Sequence, residues 1–211
     1  MIDRLTEEYV IKHSTPEDPV LEDLFRQTHI RFVNPNMASG HIQGRFLELI
    51  TRMIRPGKVL EIGTYTGYSS ICIARALDEE GHLYSVESND EMIDFCQSYF
   101  EKASLTEKIT LLAGRAQDIV PGMDHEFDMI YIDGDKREYC EYFDLVKDKL
   151  AKGGFIIADN VLWGGKALDP RTTDQQSKGI IEFNEKVIQE REFENIIIPL
   201  RDGINLIRKI C

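Results

Sequence analysis

Two short apolar runs in this 211-residue chain each end in a cluster of oxygen-bearing side chains. Phe127-Asp128-Met129-Ile130-Tyr131-Ile132 leads into Asp133-Gly134-Asp135-Lys136, and Phe155-Ile156-Ile157-Ala158 leads into Asp159-Asn160. As neighbouring strands ~4.8 Å apart, with their carboxyl ends on the ligand-binding edge of a doubly wound sheet, the two runs bring Asp133, Asp159 and Asn160 to one point. Two carboxylates and a carboxamide are hard oxygen donors, suited to magnesium or calcium rather than zinc. Lys136 stands three residues after Asp133. A divalent cation nearby disfavours the ammonium form of a lysine, which fits it to act as a general base near neutral pH. Each residue also has a purely structural reading. Asp135 fits a helix N-cap, with Glu138 completing a capping box. Asp159-Asn160 fits an Asx turn, Asp133 a cap, and Lys136 an exposed first-turn lysine.

A second group lies nearer the N-terminus. Val59-Leu60-Glu61-Ile62 runs into Gly63-Thr64-Tyr65-Thr66-Gly67-Tyr68-Ser69. A glycine-containing turn after a first strand lets a nucleotide approach the backbone closely. With tyrosine at position 65 it is not the G-x-G-x-x-G dinucleotide fingerprint, which argues against a dehydrogenase. The next apolar run, Leu83–Val86, ends in Glu87, about 20 residues on, where an acid accepts hydrogen bonds from ribose hydroxyls; a solvated surface glutamate is the alternative. Glu61 can hold the turn or meet the ammonium of a bound amino acid, and the residues alone do not separate these roles.

The elements that must position these groups follow from periodicity. Residues 1–55 read as helical. One helix covers about Glu17–Phe32 and ends at Asn34-Pro35-Asn36; another covers about His41–Ile54, with Ile42, Phe46, Leu49, Ile50 and Met53 as its apolar face. From Lys58 short apolar runs alternate with amphipathic stretches. Strands are expected at Val59–Ile62, Leu83–Val86, Ile109–Leu112, Phe127–Ile132 and Phe155–Ala158. Helices are expected near Tyr68–Leu77, Asp90–Ala103, Ala116–Val120, Arg137–Leu150 and Asp174–Arg191. Alternation of this kind implies a parallel sheet with right-handed crossovers. Ile196–Pro199 and Ile204–Ile207, separated by Arg201-Asp202-Gly203, read as a closing hairpin. The expectation is one domain over 1–211, with a helical cap over 1–55 and an α/β doubly wound core over 56–211 carrying an antiparallel C-terminal edge.

Composition narrows the partners. A net charge of −12 disfavours non-specific attraction to nucleic acid or anionic membrane. No apolar run approaches the ~20 residues of a membrane span, and the N-terminal segment does not read as a secretory signal, so cytoplasmic residence is expected. Cys72, Cys96, Cys140 and Cys211 are widely spaced, which speaks against a disulfide framework or a zinc site.

Taken together, Met37 with Gln43-Gly44, VLEIGTYTGYSS, Ser85-Val86-Glu87, Gly114-Arg115-Ala116, YIDGDKREY, GGFIIADNVLWGG and PLRDGINLIRK resemble the magnesium-dependent O-methyltransferases of the caffeoyl-CoA and catechol type. The resemblance spans roughly Met37 to Lys209. It implies a Rossmann-like seven-stranded sheet, S-adenosylmethionine as methyl donor, magnesium (or calcium or manganese) as metal, a catechol-like acceptor, and a homodimer. It further implies Asp133, Asp159 and Asn160 as metal ligands and Lys136 as base. Gly63 and Ser69 match contacts to the methionine part of the donor, Glu87 the ribose ligand and Ala116 the adenine site. Met37 and Gln43 match a flap over the cofactor, and Trp163 the wall of the acceptor pocket, with ordinary packing as its alternative. Many relatives carry alanine at Gly134 and glutamate at Gln43. Two other readings are a transfer-RNA hydroxyuridine methyltransferase on the same scaffold, and a cofactor-binding regulator without catalysis.

Overall fold

The computed structural model describes residues 4–169 and 171–211. Seven strands form one sheet: β1 (Lys58–Ile62), β2 (His82–Glu87), β3 (Ile109–Ala113), β4 (Phe127–Ile132), β5 (Leu150–Asp159), β6 (Phe193–Ile198) and β7 (Ile204–Lys209), in the order β3-β2-β1-β4-β5-β7-β6. The five strands β1 to β5 run parallel, and β7 pairs antiparallel with both β5 and β6. The chain winds outward from β1 in both directions, so a switch point lies between β1 and β4, where such sheets bind ligands.

Alternation within the central strands feeds two cores. Val59, Leu83, Met129, Tyr131 and Ile157 face one side. There they meet α2 (Pro19–Arg31), α3 (Gly40–Ile54), α4 (Tyr68–Ala76) and α5 (Ile93–Lys102). Leu60, Ile62, Ile130, Ile132, Ile156 and Ala158 face the other, against α6 (Ala116–Ile119), α7 (Tyr139–Lys147) and α8 (Gln175–Gln189). A first helix, α1 (Arg4–Lys12), precedes α2. Asp18 caps α2 by accepting from the Val20 N–H at 2.8 Å, and Asp174 caps α8 through the Ser177 N–H.

Three expectations are corrected. Leu150 does not end a helix; it starts β5, opposite Phe127 of β4, because the Gly153-Gly154 break lies inside a strand rather than before one. The Asp90–Ala103 stretch divides into a 3-10 turn at Asp90–Met92 followed by α5. The buried face of α3 is Gln43, Gly44, Leu47, Glu48 and Thr51, whereas Leu49 and Met53 are exposed. Phe46 and Ile50 of the expected face do pack against the core; the helix is turned further toward Gly44 because it approaches α4 closely, a Cβ on Gly44 standing 2.7 Å from both Cys72 Sγ and Tyr68 Cε1. All four cysteines are free thiols, as expected. No helix among the described residues is long and apolar enough to cross a membrane.

Candidate active site

Register builds the site. Ile62 of β1 stands opposite Val86 of β2 and Ile132 of β4, and Ile132 stands opposite Ala158 of β5. The next residue on each strand is Gly63, Glu87, Asp133 or Asp159, so four adjacent parallel strands deliver these positions at one level of the carboxyl edge. All four line a cleft of about 840 Å³, together with Met37, Lys136, Asn160 and Trp163.

The β1–α4 turn requires glycine at its first position. Gly63 has φ +98°, and a Cβ there would collide with the Asp133 carbonyl oxygen. Beside it, Glu87 accepts the Tyr65 N–H at 2.6 Å and the Asn89 N–H at 2.8 Å. Burial raises the Glu87 carboxyl above its ordinary range despite these bonds. A smaller cavity of about 350 Å³ adjoins, sharing Gly63 and Gly134 and lined by Gly114 and Ala116. The two spaces together offer a continuous trough from the Asp133 region past Glu87 to Ala116.

At the other end, Asp159 is nearly fully buried. Its Oδ1 accepts the Asn160 N–H at 2.7 Å, and its Oδ2 accepts from Tyr131 Oη at 3.1 Å and from Gln43 Nε2. Asn160 adopts φ +58°, a left-handed conformation that asparagine tolerates better than most residues. The local turn read from Asp159-Asn160 therefore forms, on the wall of the cleft. Burial, and then repulsion by Asp133, pushes the Asp159 carboxyl up to about 6. Asp133, Asp159 and Asn160 share this cleft wall, and a divalent cation there would offset the repulsion between the two acids. The donor set fits magnesium or a similar hard ion.

Lys136 is buried, not an exposed first-turn residue. Its Nζ donates to Asp133 Oδ1 at 2.7 Å, the Gly134 carbonyl at 3.1 Å and Tyr139 Oη at 3.0 Å. These use all three N–H directions of an ammonium. The Trp163 ring lies 5.9 Å from the same Nζ. Asp133 is thus not a cap. Asp135 is one, accepting the Arg137 N–H at 3.0 Å. No capping box closes around it, because the Glu138 carboxylate is taken by Arg115, Gln117 and Tyr142.

Three residues expected at the cofactor lie elsewhere. Gln43 is fully buried beneath the cleft, bridging Asp159 and Tyr131 on one side and Arg201 on the other. The Glu61 carboxylate is fully buried and accepts from the hydroxyls of Ser69, Ser70 and Ser85. Of its two readings the structure supplies the first, holding the turn. The Ser69 hydroxyl is the partner that does so. Residues not anticipated are Tyr139, whose hydroxyl receives Lys136 Nζ and donates to the Asp159 carbonyl at 2.8 Å, and Arg201. Tyr139 sits three residues after Lys136, a helical spacing that puts both on one face. Arg201 carried only the turn signal of Arg201-Asp202-Gly203.

A Rossmann-like sheet with a glycine turn, an acid ending β2 and a polar cleft at the switch point has the features of a nucleotide-type cofactor site. Residues 11–210 match the O-methyltransferase family, and the chain belongs to it. It is similar to a catechol O-methyltransferase of Niastella koreensis, 38% identical over 72% of this chain and 68% of that one. It is also similar to a probable caffeoyl-CoA O-methyltransferase of Dictyostelium discoideum, 30% identical over 93% and 86% of the two chains. Among solved structures, the O-methyltransferase TomG of Streptomyces achromogenes in complex with S-adenosylmethionine superposes with a TM-score of 0.92 at 30% identity, covering 98% of this chain and 96% of that one. An O-methyltransferase of Bacillus cereus in complex with S-adenosylhomocysteine gives a TM-score of 0.88 at 27% identity, over 97% of each chain. The protein is an S-adenosylmethionine-dependent O-methyltransferase.

Proposed function

We propose that this enzyme methylates one hydroxyl of a small acceptor bearing two adjacent phenolic hydroxyls, and that it requires a divalent cation. The observation that carries the reading is the meeting of Asp133, Asp159 and Asn160 with Lys136 on one cleft wall. Asp133, Asp159 and Asn160 would hold the cation, which would supply positive charge that favours the oxyanion form of a phenolic hydroxyl. Lys136 would take the proton of the reacting hydroxyl at Nζ as the neutral amine, its lone pair turned toward the acceptor. Asp133, the Gly134 carbonyl and Tyr139 are the groups placed to hold the ammonium so formed. Glu87 binds the ribose of the donor, the Gly63 turn admits its methionine part, Ala116 borders its adenine, and Met37 covers it. Trp163 walls the acceptor side and keeps water from Lys136. Holding donor and acceptor in line contributes up to ~7–11 kcal/mol of the acceleration.

The lining favours a small neutral acceptor over a nucleic acid. Glu87, Asp133, Asp135, Asp159 and Asp202 outnumber Lys136 and Arg201 around the cleft. We read the chain as one domain, located in the cytoplasm and acting as a homodimer. The exposed apolar residues Leu49 and Met53 of α3 support the last point, since apolar surface of this kind is commonly covered by a second copy.

Labelled methyl transfer from S-adenosylmethionine to a simple catechol, with magnesium and with EDTA, tests the proposal. The expected result is product with magnesium and none with EDTA. Equal transfer in both conditions overturns the metal requirement, and no transfer in either overturns the acceptor class.

A further inference from the structure

Gln43 was expected to touch the cofactor, yet it lies under the cleft floor with every polar atom engaged. Its Nε2 donates to Asp159 Oδ2 and to Tyr131 Oη at 2.9 Å, and its Oε1 accepts from Arg201 Nη1 at 2.8 Å. The direction of the carboxamide is set by chemistry. A guanidinium only donates, so the oxygen must face Arg201 and the nitrogen must face Asp159. Arg201 comes from the turn between β6 and β7, where it has φ +49°. A left-handed conformation at a residue other than glycine is strained and persists where surrounding contacts hold it. Here one N–H of Nη1 meets Gln43 and the other is shared between the carbonyl oxygens of Ser39 and of Ala38, the latter at 3.4 Å. Ala38 and Ser39 directly follow the Val33–Met37 segment that walls the cleft.

From this geometry we infer that Arg201 and Gln43 are positioning residues that couple the Val33–Met37 wall to the carboxylate of Asp159. When the wall is set over bound cofactor, the carbonyls of Ala38 and Ser39 fix the guanidinium. The guanidinium fixes the carboxamide, and the carboxamide, with Tyr131, fixes Asp159 Oδ2, so that the remaining lone pair of Oδ1 is presented to the cation. Cofactor and metal therefore strengthen each other's binding, by the same factor in either direction. The inference rests on the metal-site reading above and adds to it a link between two sites.

The test is manganese binding, followed by the loss of the free-ion paramagnetic signal, with and without S-adenosylhomocysteine. Native protein is compared with Arg201→Gly and Gln43→Leu. Glycine suits the left-handed position, so the first variant deletes the guanidinium while the turn is kept; the second breaks the link from the other end. Circular dichroism confirms that each is folded. Native protein is expected to bind manganese more tightly when S-adenosylhomocysteine is present. Both variants are expected to bind it about 10-fold more weakly or worse, in line with the loss of a partner behind a metal ligand, and to lose most of the cofactor effect. A side chain that merely stabilised the fold would leave the cofactor effect intact. A folded variant with native manganese affinity and native cofactor effect overturns the coupling. Failure of the native protein to bind manganese overturns the metal site itself, a separately visible result.

Discussion

In the proposed mechanism Lys136 is the residue on which the chemistry turns. Its Nζ is held by three acceptors on a buried wall. Replacing it with alanine removes the proton acceptor but no group assigned to the donor. Turnover of Lys136→Ala is expected to fall about 10²–10⁴-fold, with S-adenosylhomocysteine affinity by calorimetry close to native. Native turnover in that variant removes the lysine from the mechanism. Glu61 gives a prediction about stability. Burial pushes its carboxyl up from 4.5 to about 7, against the hydrogen bonds of Ser69, Ser70 and Ser85. The folded state thus favours the protonated acid. The associated stability is complete below pH 4.5 and is lost as pH rises through about 7. At 1.36 kcal/mol per unit this amounts to up to about 3 kcal/mol. Glu61→Gln keeps a neutral side chain at every pH. Urea unfolding should show the variant gaining on the native protein by up to that amount between pH 5 and 8. A constant difference across that range would mean that Glu61 is not held in its acid form.

At the scale of elements, the turn that carries Lys136 is pressed between β4 and α8. Gly179 of α8 lies so near this turn that an added Cβ would overlap the Lys136 carbonyl oxygen and stand 2.9 Å from the Arg137 Cα. Gly179→Ala is expected to cost about 1–3 kcal/mol of stability, as overpacking does, and to lower kcat by displacing the Lys136 turn. Thermal unfolding and steady-state rates check it, and a native rate would show that the turn tolerates the shift. Most strands were legible because two-sided burial writes itself as an apolar run, as in Met129–Ile132. The acids at the strand ends were legible for the same reason: a carboxylate that closes such a run stands out. The Gln43 and Arg201 contacts were not. Each depends on partners far along the chain: Gln43 bonds to Asp159 across 116 positions and Arg201 to Gln43 across 158. The α3 face was misread because helical periodicity reports an apolar stripe without saying whether the helix turns it inward. Gly134, alanine in many relatives, has its reason in Tyr142, whose ring occupies the place of a methyl, 2.8 Å from an added Cβ.

For the whole molecule, the balance of charge and surface leads to two expectations. With a net charge of −12 and an acidic cleft, the protein is expected not to bind transfer RNA at physiological salt. Filter binding across a salt series checks this, and a steep salt-dependent affinity would reverse the choice of acceptor. Light scattering is expected to return twice the chain mass of 24.3 kDa. Substituting Leu49 and Met53 with charged residues should shift that value toward one chain if α3 carries the contact.

The place of β7 has a consequence for how the molecule comes into being. It lies between β5 and β6, so the strand that ends in Asp159 has an open hydrogen-bonding edge until residues 204–209 arrive. During synthesis, more than nine-tenths of the chain emerges from the ribosome before that edge can be closed. An open edge is the place where sheets recruit the wrong partner. A nascent chain paused near residue 200 would hold nearly all of the catalytic side chains in an incomplete sheet, with the guanidinium that steadies Gln43 only about to emerge. Its hazard at that moment is aggregation, and β7 is the strand that ends it.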